Sequence, residues 1–138
     1  MADRVRKVRY CNVTVPNRSG QGAKALGALK DEGVNMLAYT GFPVGGGRAK
    51  LDFVVENTAS LRRIAKKEGW RLSKPKKAFL VLGNDEAGAV YRHTRRLAEQ
   101  KINIVAADAV STGKGRYGMI LWVKDKDYNR AAKALKAK

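Results

Sequence analysis

The sequence is poor in the residues that build disulfides, metal sites and catalytic centres. Its 138 residues contain one cysteine, Cys11, and one histidine, His93. A single cysteine excludes an intrachain disulfide and a Cys-x-x-Cys metal site, and a single histidine leaves no second imidazole for a metal. No carboxylate pair, Ser-His-Asp set or activated cysteine suited to catalysis is recognisable. We therefore expect a protein that is not an enzyme and that holds neither a metal nor a cofactor.

Prolines and long apolar runs are also scarce. Only three prolines occur, which argues against a long disordered linker. No apolar run approaches the ~18 residues of a membrane-spanning helix, and the first residues lack the apolar core of a signal peptide. These absences predict a folded, cytoplasmic protein.

Acidic residues are outnumbered, because 12 Asp and Glu face 29 Lys and Arg and leave a formal net charge of +17 at pH 7. The basic excess is greatest between residues 62 and 77, where eight basic residues accompany one acid, Glu68. A field of this sign attracts polyanions such as nucleic acid, or an acidic protein. A surface tuned for solubility would have the same composition. The binding expected from charge alone is weak, salt-sensitive and without sequence preference.

What the sequence does contain is an internal repeat. Under a gapless shift of 68 residues the matching pairs include Val13 and Val81, Gly20 and Gly88, Asn35 and Asn103, and Gly47 and Gly115. The matches are glycine, asparagine and apolar residues, whose positions depend on backbone geometry and burial. Such a repeat predicts two similar structural units.

Hydrophobic periodicity predicts the same order of elements in each copy. In the first copy we expect strands over residues 5–15, 34–42, 49–55 and 70–73, and helices ending near Gly33 and over 59–68. In the second copy we expect strands over 78–83, 102–110 and 116–124, and helices over 87–100 and from 126 onward. The second copy lacks a fourth strand. The chain start could supply it if residues 3–15 form one long strand.

The positions of Cys11 and His93 in the predicted elements argue against a catalytic role for either side chain. Cys11 alternates with valines on one face of the first strand, which predicts packing in the core. His93 lies two residues from Tyr91, which we expect to face the core. The same helix would then turn His93 towards solvent.

Two copies of the order β-α-β-β-α-β describe the ferredoxin-like plan, in which helices cover one face of an antiparallel sheet. We therefore predict an α+β protein of two such repeats, residues 1–74 and residues 75–138. The last strand of the second repeat would be missing or supplied by the N-terminus. The fold by itself names no function.

The strand-to-helix turns resemble those of ACT domains. The second copy reads Asp85-Glu-Ala-Gly88 before its helix and Lys101-Ile-Asn-Ile104 after it; the first reads Asn17-Arg-Ser-Gly20 and Gly33-Val-Asn-Met36. The ACT pattern has an acidic residue, a Pro-Gly turn, a helix and a Gly-Ile-Asn-Ile entry into the second strand. This sequence departs from it at Asn17, in place of the acid, and at Ser19 and Ala87, in place of proline. The resemblance covers the whole chain.

ACT domains are regulatory modules, and many bind a free amino acid between paired domains and report its level to an enzyme, regulator or transporter. The resemblance therefore implies a non-catalytic regulatory protein that acts in trans. It implies a small amino acid as ligand, with its carboxylate on the backbone N–H groups at a helix start. The neutral and basic first copy is expected to take the carboxylate, while the acids of the second copy suit the amino group.

The residues expected at this site lie in both copies. They are Asn17, Arg18, Ser19, Gly20, Gln21, Gly22, Asn35, Met36 and Leu37, and then Asn84, Asp85, Glu86, Ala87, Gly88, Asn103, Ile104 and Val105. The alternative is that Asn17 and Ser19 only cap the helix and Gly20 only turns the chain. The chain would then be an assembly module without a ligand.

Strand alternation also predicts an apolar surface on the second copy. The side chains expected on its sheet face away from the helices are Leu80, Leu82, Ile120 and Trp122. A large exposed apolar patch usually marks an interface, so we expect a homo-oligomer through these residues, unless the chain itself covers them.

A second alternative is an RNA-binding protein, because the RNA-recognition motif has the same element order. Its aromatic residues on the first and third strands stack on bases, and Phe79 and Tyr117 occupy comparable positions. The repeat, however, aligns Tyr117 with Ala49 on the face that the helices cover. Only Trp122 would then remain for stacking.

Overall fold

In the computed structural model, which describes residues 3–138, the same order of strands and helices occurs twice. The first copy contains β1 (Arg4–Pro16), α1 (Gln21–Asp31), β2 (Ala38–Gly45), β3 (Arg48–Val55) and α2 (Thr58–Glu68). The second contains β4 (Lys76–Asn84), α3 (Ala89–Glu99), β5 (Ile104–Gly113), β6 (Arg116–Val123) and α4 (Tyr128–Leu135), with a 3-10 turn at Asp125–Asp127. The bounds of α1 and α3, and of β3 and β6, differ by 68 residues at both ends, so the two copies fold alike.

The strands are hydrogen-bonded in the order β2-β3-β1-β4-β6-β5. β3 pairs antiparallel with β1 and β2, and β6 pairs antiparallel with β4 and β5. The predicted α+β class, with ferredoxin-like repeats, is confirmed. The chain forms two compact units, and β1 contributes to both. The first unit is Arg9–Lys76, and the second combines Lys77–Lys138 with residues 3–8 at the chain start. Among the described residues, no helix is long and apolar enough to cross a membrane.

The first unit packs one face of its strands against α1 and α2. Its core residues are Cys11, Val13, Ala25, Leu29, Leu51, Phe53, Val55, Leu61 and Ile64. Phe53 is fully buried and stacks on Tyr39 and Trp70, with ring centroids 6.0 and 6.1 Å away. Cys11 is fully buried, and this burial raises the pKa of its thiol. The predicted core position of Cys11 is therefore confirmed, and its thiol is held in the protonated, unreactive form.

The second unit has the same construction. Its core includes Val5, Phe79, Val81, Leu97, Met119, Leu121, Tyr128 and Leu135. Phe79 stacks on Tyr128 with ring centroids 4.4 Å apart, and the Tyr128 hydroxyl donates to the Ala78 carbonyl over 2.9 Å. The ring contact and the hydrogen bond of Tyr128 connect α4 to β4.

The chain start supplies the strand that the second copy lacks. β1 runs unbroken from Arg4 and lies beside β4. In a ferredoxin-like unit the fourth strand takes this position beside the first. Val5 enters the core of the second unit. On the other side of the segment, Lys138 N donates to Val5 O over 3.0 Å and Lys7 N donates to Lys138 O over 2.9 Å.

The short strand expected over residues 70–73 does not form. Ser73 N still donates to Asn12 O over 2.9 Å, but the Asn12 amide donates to the Ser73 hydroxyl, also over 2.9 Å, rather than to a backbone carbonyl. Pro75 follows and has no N–H group, so the ladder cannot continue there.

His93 is buried, so its predicted exposure is wrong. Its side chain is 1% exposed, whereas Tyr91 is 66% exposed. The buried residues of α3 are Ala89, His93 and Leu97, spaced four apart. This spacing places them on one face of the helix, and the face differs from the one expected for Tyr91.

The predicted apolar surface of the second copy is mostly covered within the chain. Leu80, Ile120 and Trp122 are buried, and only Leu82 remains 38% exposed. The expectation of an exposed four-residue patch is therefore wrong, because strand alternation identifies a face of a sheet but not what covers it. One leucine is too small an exposed surface to support an oligomer interface.

Candidate functional site

In both copies the strand-to-helix turn has the same backbone geometry. The N-cap residues of α1 and α3 are Gly20 (φ 89°) and Gly88 (φ 84°), which take the left-handed conformation that glycine adopts without strain. Asn17 N donates to Gly47 O and Asp85 N donates to Gly115 O, both over 2.8 Å. These bonds fasten each turn to the neighbouring hairpin.

Neither helix start is capped by a side chain. The expectation that Asn17 or Ser19 caps α1 is therefore wrong. Gly20 occupies the cap position and places both side chains in the preceding turn, where Asn17, Arg18 and Ser19 are exposed. In α3, Arg92 N makes the first α-helical hydrogen bond, to Gly88 O over 3.0 Å. The amides of Val90 and Tyr91 therefore have no acceptor within the helix and remain suited to an anion.

The second unit contains a cavity of about 330 Å³ at this turn. The turn and the first residues of α3 form one wall, and the last part of β5 forms the other. The lining residues are Asp85, Glu86, Gly88, Ala89, Val90, Tyr91, Ala109, Val110, Ser111 and Tyr117. This volume is at the lower end of the range for small-molecule sites, which run from about 300 to 1,000 Å³.

In the first unit the equivalent space holds the side chain of Tyr39. Its hydroxyl oxygen lies 3.0 Å from a Cβ built on Gly41 and 3.8 Å from one built on Gly22. Under the repeat shift, these glycines correspond to Ala109 and Val90, which face each other across the cavity of the second unit. Tyr39 itself corresponds to Ala107. A tyrosine therefore occupies this space in the first copy, and its counterpart in the second copy is an alanine.

The charged side chains that line the cavity, Asp85 and Glu86, are both acidic. The Glu86 carboxylate accepts from Arg92 Nη2 over 2.8 Å, while Asp85 is exposed in the turn. Ser111 and Tyr117 add hydroxyl groups, and α3 directs its N-terminal end into the site. An exposed carboxylate beside a helix start offers one place for a cation and another for an anion.

The strand-entry residues lie at the other end of each sheet. In the second unit, Asn84 and Gly113 both pair with Arg116, whereas Ile104 pairs with Val123. Val105 and Ser111 are thus separated by six residues, or roughly 20 Å of extended strand. In the first unit, Leu37 N bonds to Val54 O, again at the end opposite the turn. The structure therefore does not bring Asn35, Met36 or Leu37 to the turn of the first unit, nor Asn103, Ile104 or Val105 to that of the second.

A buried polar cluster next to the cavity has no counterpart in the sequence predictions. Asp3 Oδ2 accepts from the Tyr117 hydroxyl over 2.6 Å and lies 2.6 Å from His93 Nε2. Arg92 Nη1 lies 4.0 Å from Asp3 Oδ1. The Asp3 side chain is 4% exposed. An ionised Asp3 only accepts hydrogen bonds, so in the neutral imidazole the proton is assigned to Nε2.

The cluster shifts the titration of its members. Burial alone would raise the pKa of the Asp3 carboxyl, but the hydrogen bonds from Tyr117 and His93 and the charge of Arg92 outweigh it. This pKa is therefore lowered from 3.8. Burial and the bond to Asp3 raise the pKa of the Tyr117 hydroxyl, which remains a donor at neutral pH.

The cluster contains an aspartate next to a histidine, yet it lacks the third group that hydrolytic triads need. The Nδ1 atom of His93 is buried and has no hydrogen-bond partner among the described residues, so none of them places a hydroxyl or thiol nucleophile against this atom. Within residues 3–138, no group of three or more His, Cys, Asp or Glu is placed to hold a metal ion.

The aromatic side chains considered for RNA stacking are not available. Phe79 is fully buried, Tyr117 is 4% exposed, and Trp122, at 7%, is buried as well. Bases cannot stack on the faces of rings that are buried to this extent.

The architecture by itself defines a class: an α+β protein of two ferredoxin-like units, with β1 contributing to both. No family model matches the sequence, and no curated protein matches it. Among solved structures, a protein from Bacteroides thetaiotaomicron has a TM-score of 0.79 at 14% identity. The match covers 97% of this chain and 88% of that one.

Regulatory subunits of aspartate kinase share the same fold. The subunit from Thermus thermophilus, in its ligand-free form, has a TM-score of 0.62 at 16% identity, over 98% of this chain and 93% of that one. The subunit from Thermus flavus has a TM-score of 0.59 at 17% identity, over 98% and 94%. Identities this low establish a common fold, which supports the ACT-type architecture that the turn motifs imply.

Proposed function

We propose that this chain is a non-catalytic regulatory module that binds a small amino acid in the cavity of its second unit. The observation that carries the proposal is the cavity itself, which opens at the turn where the ACT resemblance places a ligand. The regulatory subunits of aspartate kinase with the same fold support the regulatory part of the proposal.

The ligand would be held by complementary charges. Its carboxylate would lie against the amides of Val90 and Tyr91 at the start of α3. Its ammonium group would pair with Asp85, while Ser111 supplies a further hydroxyl oxygen. We assign the ligand to the second unit rather than the first, because Tyr39 occupies the equivalent space there.

A screen of the standard L-amino acids by thermal shift and calorimetry tests this proposal. A ligand that saturates the site stabilises the folded chain, by about 2.7 kcal/mol at 100 times its dissociation constant. We expect Asp85→Asn to weaken binding about tenfold or more, as expected for the loss of a charge-assisted hydrogen bond.

Asp108→Asn is the matched control, because it removes the same charge from an exposed residue of β5 that does not line the cavity. Equal affinities of the two variants would contradict the assigned site. If no standard amino acid binds the wild-type chain at millimolar concentration, the alternative of an assembly module without a ligand is favoured.

A further inference from the structure

The space next to β4 is shaped around the carboxylate of Asp3. A Cβ built on Gly83 would collide with that carboxylate and would lie 2.9 Å from Cε1 of Tyr117. Glycine at this position of β4 leaves the room that the carboxylate fills. The start of β1 is therefore held by a specific polar anchor as well as by the burial of Val5 and Val8.

Two side chains connect this anchor to the cavity. Tyr117 lines the cavity, and its hydroxyl donates to Asp3. Glu86 also lines the cavity, and its partner Arg92 extends its other terminal nitrogen towards Asp3. The position of the chain start thus determines the hydrogen bonding of Tyr117 and, through Arg92, the charges around Glu86.

We propose that Asp3 is a positioning residue for the ligand site, and that docking of the chain start and occupation of the cavity reinforce each other. Without Asp3, the Tyr117 hydroxyl would be a buried donor without this acceptor, and Arg92 would face one carboxylate fewer. Both wall residues would then adopt other positions. Because coupling between two equilibria is reciprocal, a ligand that fixes Tyr117 and Glu86 also favours the docked chain start. The inference rests on the proposed function of the cavity.

Hydrogen exchange of the full chain tests the coupling without a ligand. In Asp3→Asn we expect amides of Arg4–Val8 to exchange about tenfold faster or more, since the strand is then freer to open. We expect faster exchange in the turn Asp85–Gly88 as well. Asp108→Asn should match the wild type in both segments. If the turn exchanges at the wild-type rate in Asp3→Asn, the anchor acts only on the strand and the inference is wrong.

A double-substitution cycle tests the fit between Asp3 and Gly83. As a single substitution, Gly83→Ala should raise the amide exchange rates of Arg4–Val8 and of the turn Asp85–Gly88, because its methyl group displaces the Asp3 carboxylate. In the background of Asp3→Gly the same methyl group no longer meets the carboxylate and is close only to the Tyr117 ring, so its additional effect should be smaller than in the wild type. Additive effects of the two substitutions would contradict a direct fit.

Calorimetry with each of the standard L-amino acids separates this inference from the proposed function. If one binds, Asp3→Asn should lower its affinity about tenfold, within the usual range for coupled sites. Binding that is unchanged in Asp3→Asn would overturn the inference and leave the proposed function intact. Coupled exchange in a chain that binds no amino acid would support the anchor and contradict the proposed function.

Discussion

At the scale of single residues, His93 and Asp3 depend on each other. A buried carboxylate is costly unless hydrogen bonds compensate for its missing hydration, and His93 Nε2 lies 2.6 Å from Asp3 Oδ2. The burial of His93 could have been read from its sequence neighbours, because Ala89 and Leu97 lie four residues away on either side. The large aromatic side chain of Tyr91 suggests instead that the opposite face of α3 is buried. Hydrophobicity alone does not decide which of the two faces packs against the sheet.

The partnership with Asp3 could not be predicted in this way. Asp3 and Tyr117 are 114 residues apart in sequence, and their contact depends on the docking of the chain start beside β4. No local pattern contains that information.

The lowered pKa of Asp3 leads to a prediction about stability and pH. A carboxyl with a lower pKa in the folded state stabilises the fold fully above its unfolded pKa, near 3.8. That contribution is lost as the pH falls through the folded value. At neutral pH we expect Asp3→Asn to reduce the free energy of unfolding by about 1.5–3 kcal/mol, the usual worth of hydrogen bonds to a charged group.

Urea unfolding of both proteins, from about pH 6 to below pH 3.8, measures this contribution. The difference between wild type and Asp3→Asn should shrink as the pH falls, because the wild-type carboxyl then becomes neutral as well. A difference that stays constant over this range would show that Asp3 does not titrate as described.

At the scale of secondary-structure elements, the repeat makes most of the fold predictable. Strand alternation and helical periodicity predict the type and order of the elements, and the glycines at the turns lie where a left-handed conformation is required. The exception is the segment over 70–73, whose expected strand fails because Pro75 and the Ser73 hydroxyl end the ladder.

The candidate site is less predictable than the fold, because it depends on which side chain fills a given space. The turns of the two copies are alike in backbone, and their residues favour the first copy as the anion site. Tyr39 lies outside the motif, yet in the first unit it occupies the space that is equivalent to the cavity of the second. Similarly, the strand-entry residues look adjacent to the turn in the motif but lie at the far end of the sheet.

At the scale of the whole molecule, the net charge of +17 remains the strongest deviation in composition. The eight basic residues between 62 and 77 are exposed, and Lys67 forms an ion pair with Glu32 over 3.5 Å at the surface. The aromatic residues of β4 and β6 that could read bases are buried. Exposed basic residues together with buried aromatic residues predict contacts with the phosphates of a nucleic acid and no contacts that distinguish one base sequence from another.

We therefore predict weak, salt-dependent binding of RNA to this basic surface. Fluorescence titrations at several salt concentrations should give a linear fall of the logarithm of affinity with the logarithm of salt concentration. Replacing Lys74 and Lys76 with Gln should reduce the slope by about 1 for each phosphate that these lysines neutralise. Affinity that is independent of salt, or that differs strongly between RNA sequences, would contradict an electrostatic account.

Ala107→Tyr is the sharpest test of amino acid binding in the cavity of the second unit. The substitution places a phenol where Tyr39 lies in the first unit, and it should fill the cavity. Tyr39→Ala is the reciprocal control, because it removes the phenol from the first unit and leaves the second unchanged. Calorimetry with the amino acid that the screen identifies should find one binding site per chain in the wild type. Tyr39→Ala should keep the site of the second unit. A folded Ala107→Tyr should not bind the amino acid. Wild-type affinity in a folded Ala107→Tyr would contradict binding in this cavity.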